Sequence, residues 1–68
     1  MVITYRVPDI SCDHCKMTIE GEVGKLPDVT AVTVDVEQKL VRVEGEASEA
    51  AVRAAIDEAG YEVTAVAR

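Results

Sequence analysis

Both cysteines and the only histidine of this 68-residue sequence fall in the segment "ISCDHCKM", residues 10–17. Cys12 and Cys15 are separated by two residues, one of which is His14. Thiolate and imidazole groups bind soft metal ions, and a Cys-x-x-Cys pair is also the reactive unit of thiol–disulfide redox proteins. A disulfide across so short a loop would constrain the unfolded chain little, which argues against a structural bridge. The spacing therefore favours metal binding or redox chemistry.

The number of ligands indicates which metal the segment would hold. Two thiolates suit Cu(I), which accepts a near-linear pair of soft ligands, whereas structural Zn(II) usually takes four ligands. The sequence has no second Cys or His pair, so that among its Cys and His residues only His14 is left as an accessory ligand beside Cys12 and Cys15. Cu(I) is therefore the first choice, and Zn(II) or another soft metal such as Cd(II) or Hg(II) is the second. Mg(II) and Ca(II) are disfavoured because they prefer oxygen ligands.

Charge and composition exclude several classes of protein. Thirteen acidic against seven basic residues give a net charge of −6, which argues against binding to nucleic acid or to an anionic membrane surface. A protein partner with a basic face is the natural complement. No apolar run approaches the roughly 20 residues of a membrane span, which excludes membrane insertion. The N-terminus lacks the features of a secretory signal, which predicts a cytoplasmic protein.

The elements around the cysteines are predicted from hydrophobic periodicity. Residues 2–7 alternate as a half-buried strand that ends at Pro8, and a helix follows from about residue 13 to 25. The apolar stripe of this helix comprises Cys15, Ile19, Val23 and Leu26. Cys12 then lies in the loop and Cys15 in the first helical turn, where the helix dipole and unsatisfied N–H groups favour the thiolate that binds metal.

The rest of the sequence predicts a hairpin, a second helix and a last strand. Strands over residues 29–36 and 39–45 are joined by a short link. A helix begins after Ser48 and ends at Gly60, and residues 61–66 form a strand with Tyr61 and Val63 facing inwards. This βαββαβ order indicates a single domain, residues 1–68, of the α+β class: a ferredoxin-like sandwich with a four-stranded antiparallel sheet and two helices on one face.

The segments "VP", "ISCDHC" and "AGYEV", with the helical stripe between them, resemble the heavy-metal-associated domain. This is the fold of cytosolic copper chaperones and of the N-terminal modules of heavy-metal-transporting ATPases, and the resemblance covers essentially the whole chain. It implies that Cys12 and Cys15 are the Cu(I) ligands. Bacterial chaperones resemble this sequence in having a tyrosine at the loop position near the metal, where Tyr61 falls. Tyr61 is therefore an accessory candidate beside His14.

Two positions depart from the family pattern. Ile10 stands where the family has a methionine that tucks into the core, and Asp9 stands where it has glycine. Ile10 can take the apolar role but is stiffer, because it is β-branched. Asp9 adds negative charge beside the site. Ser11, directly before the first cysteine, favours copper, since zinc-transporting relatives often have aspartate there.

The leading hypothesis is therefore a soluble Cu(I) chaperone without enzymatic activity. Its expected partner is a copper-transporting P-type ATPase or the metal-binding domain of one, and a metal-bridged homodimer is a further expectation. The first alternative is a metal-binding domain excised from a heavy-metal-transporting ATPase or a reductase. The second, from another class, is a thiol–disulfide redox protein.

Overall fold

The computed structural model describes residues 2–67, which form one four-stranded sheet and two helices. The elements are β1 (Val2–Arg6), α1 (Asp13–Gly24), β2 (Val29–Asp35), β3 (Leu40–Gly45), α2 (Glu49–Glu58) and β4 (Ala65–Ala67). The strands lie in the order β2–β3–β1–β4, and all neighbouring pairs are antiparallel. The predicted ferredoxin-like α+β sandwich is confirmed.

One apolar core fills the space between the sheet and the helices. Alternate strand residues and one stripe of each helix contribute to it, as the periodicity predicts. Its buried members are Tyr5, Val7, Ile10, Cys15, Ile19, Val23, Val34, Val41, Val43, Val52 and Ile56. Neither helix within residues 2–67 is long and apolar enough to cross a membrane.

The strand register determines which loops meet. Arg6, the last residue of β1, pairs with Leu40, the first residue of β3, and Leu40 also pairs with Asp35 at the end of β2. The β1–α1 loop (7–12), the β2–β3 turn (36–39) and the α2–β4 segment (59–64) therefore lie together at one end of the sheet, here named the loop end. β1 begins at the opposite end, and β4 runs towards that end, since Ala65 pairs with Arg6 and Ala67 with Thr4 in the middle of β1.

The last strand begins later than predicted. Residues 61–64 are not part of the sheet, and β4 starts at Ala65. The N–H of Tyr61 still donates to the carbonyl of Ile56 at 3.1 Å, which closes the end of α2, and the first bond to β1 is made by the N–H of Thr64 to the carbonyl of Arg6 at 2.9 Å. The predicted strand over 61–66 is thus wrong at its start, because these residues first have to cross from the helix to the sheet.

The ends of α2 agree with the prediction. The Ser48 hydroxyl accepts a hydrogen bond from the N–H of Ala51 at 3.1 Å, as an N-cap residue does. Gly60 has a φ of +92°, a left-handed conformation that ends the helix and that glycine adopts without a steric penalty. This turn directs the chain towards the loop end, where Tyr61 reaches the cysteines.

Gly45 lies where two backbone segments approach each other closely. Its φ is +132°, and a Cβ atom built there would lie 2.2 Å from the carbonyl oxygen of Asp28. The same oxygen accepts a hydrogen bond from the N–H of Glu46 at 2.9 Å. The pairing of β2 with β3 is irregular here, between Val29 and Ala31. Only a residue without a side chain lets these two backbones approach so closely.

Candidate metal centre

The two cysteines lie together at the loop end with their sulfur atoms 3.6 Å apart. Cys12 is exposed and occupies the N-cap position of α1, but its side chain makes no capping hydrogen bond. Cys15, in the first turn, is only 9 % exposed. Both thiols are free, at a separation well beyond the roughly 2.05 Å of a disulfide bond.

Binding of one metal ion by both sulfurs would require the distance between them to increase slightly. With metal–sulfur bonds of about 2.3 Å, a linear arrangement places the sulfurs about 4.6 Å apart. Cys15 is packed in the core cluster, whereas the exposed Cys12 thiol has room to rotate outwards. We therefore expect Cys12 to be the sulfur that adjusts.

The surroundings of Cys15 favour its ionised form. The hydrogen bond from Tyr61 is the largest cause, followed by a backbone hydrogen bond from Ser11, and together they lower the pKa of Cys15 from 9.0 to about 6 despite its burial. The Ser11 hydroxyl also lies 3.9 Å from this sulfur. At neutral pH the site thus contains a thiolate, the form that binds metal.

Tyr61 remains a hydrogen-bond donor over the whole physiological range. Its bond to Cys15, its own desolvation and the negative charges of Cys15, Cys12 and Asp9 raise the pKa of Tyr61 to about 12. The resemblance placed Tyr61 in the loop near the metal, whereas the periodicity placed it in a strand. The structure agrees with the loop position.

The other predicted site residues have different surroundings. The His14 side chain is exposed, and residues 2–67 contain no group of three His, Cys, Asp or Glu side chains arranged to hold a metal ion. Ile10 is fully buried, so that its expected apolar role is confirmed. Asp9 is exposed, and its charge acts on Tyr61. The described site is therefore a pair of sulfurs with a phenol beside it.

A further contact at the site could not be predicted from sequence. The Lys39 Nζ atom donates a hydrogen bond to the carbonyl of Ile10, although the two residues are 29 positions apart. Lysine before a strand is common and carries no signal for such a contact. The contact between Lys39 and Ile10 forms because the strand register brings the β2–β3 turn to the loop end.

The sequence from residue 4 to residue 62 matches the family profile of the heavy-metal-associated domain. The chain belongs to this family. It is 40 % identical over 65 residues to the COP-associated protein of Helicobacter pylori (strain ATCC 700392 / 26695), covering 93 % of this chain and 98 % of that protein. It is 38 % identical over 63 residues to the copper chaperone CopZ of Bacillus subtilis, covering 88 % and 91 %.

Solved structures give the same relationship. A CopZ metallochaperone superimposes with a TM-score of 0.91 at 27 % identity, covering 94 % of this chain and all of that one. The apo form of CopP from Helicobacter pylori superimposes with a TM-score of 0.85 at 39 % identity, over 94 % and 100 % of the two chains. The family resemblance read from "ISCDHC" and "AGYEV" is thereby confirmed.

Removing the Tyr61 hydroxyl tests the main cause of the Cys15 pKa. We expect Tyr61→Phe to raise the pKa of Cys15 from about 6 towards 9.0, because the largest stabilising contact of the thiolate is lost. The ultraviolet absorbance of the thiolate, followed against pH, measures this, with Cys15→Ser as the baseline. An unchanged titration in Tyr61→Phe would show that the phenol does not act on the sulfur.

The same pKa shift predicts how stability depends on pH. In the unfolded chain Cys15 binds a proton up to its ordinary pKa of 9.0, and in the folded chain only up to about 6. Between these values the unfolded state holds more protons, so the free energy of unfolding of the metal-free protein rises with pH and the gain is lost below pH 6. Urea unfolding at pH 6 and pH 9 measures this. An equal rise in Cys15→Ser would contradict the assignment.

Proposed function

We propose that this protein is a Cu(I) carrier that binds one ion through Cys12 and Cys15 and passes it to a partner protein. The observation that supports this most is the contact of the two free sulfurs at 3.6 Å, one of them exposed. Thiolate pairs prefer soft Cu(I), and two ligands leave the ion open to attack. Relatives named copper chaperones agree with this choice of metal.

Transfer would proceed by ligand exchange without any redox step. An incoming thiolate of the partner forms a bond to Cu(I), which becomes three-coordinate, and the bond to Cys12 then breaks. Cys12 leaves first because its sulfur is exposed, whereas Cys15 is buried and hydrogen-bonded to Tyr61. A second partner thiolate then displaces Cys15. No substrate bond other than metal–sulfur is made or broken, which fits a carrier and not an enzyme.

The proposed partner is a copper-transporting P-type ATPase or its metal-binding domain, encountered in the cytoplasm. The net charge of −6 favours a partner whose docking face is basic. Zn(II) or another soft metal is the second choice, because the proposed ligands are two sulfurs and Zn(II) usually takes four ligands. The exposed Cys12 also allows a metal-bridged homodimer when copper is in excess.

Titration of the reduced protein with Cu(I) against a competing chelator tests the proposal. We expect one tightly bound Cu(I) per chain and no tight binding by the double variant Cys12→Ser, Cys15→Ser. Equal binding by the double variant would overturn the assignment of the ligands. Weak, non-stoichiometric binding together with catalysed disulfide reduction would instead support the thiol–disulfide redox alternative.

A further inference from the structure

Lys39 connects the β2–β3 turn to the loop that carries the cysteines. Its Nζ atom donates to the carbonyl of Ile10, and its own carbonyl accepts the N–H of Val7 at 2.9 Å. Between these two points the N–H of Ile10 donates to the carbonyl of Val7 at 3.2 Å, closing a short turn. Lys39 thus holds both ends of this turn, one with its backbone and one with its side chain.

The backbone conformation of the β2–β3 turn does not explain why a lysine occupies position 39. Lys39 has a φ of +61°, and it is the only residue other than glycine with a positive φ in the described part of the chain. Glycine, asparagine and aspartate adopt this left-handed region most readily. A glycine would therefore suit the backbone better, and what the lysine adds is its half-buried side chain and the bond to Ile10.

The bond to Ile10 acts on a peptide unit that faces the sulfur of Cys15. The carbonyl of Ile10 and the N–H of Ser11 belong to one planar trans peptide, so fixing the first fixes the direction of the second. Ser11 is a hydrogen-bond partner of Cys15 through its backbone and through its hydroxyl at 3.9 Å. A cationic donor at the carbonyl also polarises the unit and strengthens its N–H as a donor.

We propose that Lys39 is a positioning residue of the metal site, which holds the Ile10–Ser11 peptide so that Ser11 stays against the Cys15 sulfur. The loop is then ordered before a metal binds, so that binding costs less conformational entropy. This inference rests on the proposed function for its purpose, but its first consequence concerns the metal-free protein. That separation allows the two ideas to be tested independently.

The test compares Lys39 variants by hydrogen exchange and nitrogen relaxation of the Ser11 amide in the reduced, metal-free protein. In Lys39→Met we expect Ser11 to exchange on the order of tenfold faster and to become more mobile, because a hydrogen bond from a charged donor is lost. Lys39→Arg, which retains a donor cation, should restore the wild-type values. Lys39→Gly removes the strain of the positive φ but also the side-chain donor, so its Ser11 amide should exchange as fast as that of Lys39→Met.

The matched control is Lys25→Met, which makes the same change of charge at an exposed ion pair with Glu22 and should leave Ser11 unchanged. Release of Cu(I) to a chelator is the second measurement, and it should be faster in Lys39→Met and in Lys39→Gly. Wild-type protection of Ser11 in either of these variants would overturn the proposal. A loosened Ser11 in Lys39→Met, in a protein that does not bind Cu(I), would uphold the positioning role and refute only the proposed function.

Discussion

Gly45→Ala is expected to leave a large fraction of the protein unfolded at room temperature. The new Cβ would lie 2.2 Å from the Asp28 carbonyl oxygen and 2.9 Å from the Thr30 nitrogen, both of which are backbone atoms. A φ of +132° adds strain of about 1–3 kcal/mol for a residue with a side chain. The clash with two backbone atoms adds to this strain, because neither atom can move without shifting the backbone of its segment. A chain of this length has a total stability of only about 3–10 kcal/mol, so the clash and the strain together should remove most of it.

Urea unfolding followed by circular dichroism measures this loss, and Gly21→Ala is the matched control. Gly21 lies in α1, and a Cβ added to it would meet nothing within 4 Å, so alanine there should raise stability by up to about 1 kcal/mol. Cu(I) should partly restore the fold of Gly45→Ala if the site binds it, because a ligand of the native state stabilises that state. A Gly45→Ala protein as stable as the wild type would refute the close approach of the two backbones.

The largest expected effect on binding comes from replacing one sulfur. Cys15→Ser should lower Cu(I) affinity well beyond the roughly 10–100-fold that loss of a supporting residue costs, because the buried thiolate is half of the proposed ligand set. The fold should persist, since serine is close to cysteine in size. Competition with a chelator measures the affinity, and unfolding measurements on the same sample separate lost binding from lost structure.

His14→Ala is the control for Cys15→Ser. The histidine side chain is exposed and lies between the two cysteines in sequence. Its removal therefore tests whether loss of another potential ligand in this segment lowers Cu(I) affinity as much as loss of Cys15. We expect His14→Ala to stay within about tenfold of the wild-type affinity, as for a residue outside the proposed ligand set. Equal losses in the two variants would indicate a three-ligand site and bring Zn(II) back as the first choice.

Local sequence patterns predict the strands and helices of this fold well, because burial and helix capping depend on residues that are close in sequence. The alternation of Val41 and Val43 places β3, and the spacing of Ile19 and Val23 orients α1 on the sheet, since burial of these side chains is the dominant stabilising term. Ser48 predicts the start of α2 because a hydroxyl satisfies helix N–H groups wherever it caps one. The positions of the cysteines follow from these elements.

The errors and omissions concern contacts between distant segments. Tyr61 is a good strand residue by propensity, but its N–H remains bonded to α2 and its hydroxyl to Cys15, so tertiary contacts decide its conformation. Lys39 has no local pattern at all, and its role depends on a strand register that is set by the whole sheet. In both cases the loop end brings together residues whose relationship the linear sequence does not display.

The strand register also decides how the molecule can be attached to something else. The start of β1 at Val2 and the pairing of Ala67 with Thr4 lie away from the three segments of the loop end. A tether attached ahead of Val2 or beyond Ala67 would therefore run away from the loop end and leave the exposed Cys12 thiol uncovered. Immobilised on a bead, or repeated along a flexible linker, each copy would keep its sulfurs free to meet a passing acceptor.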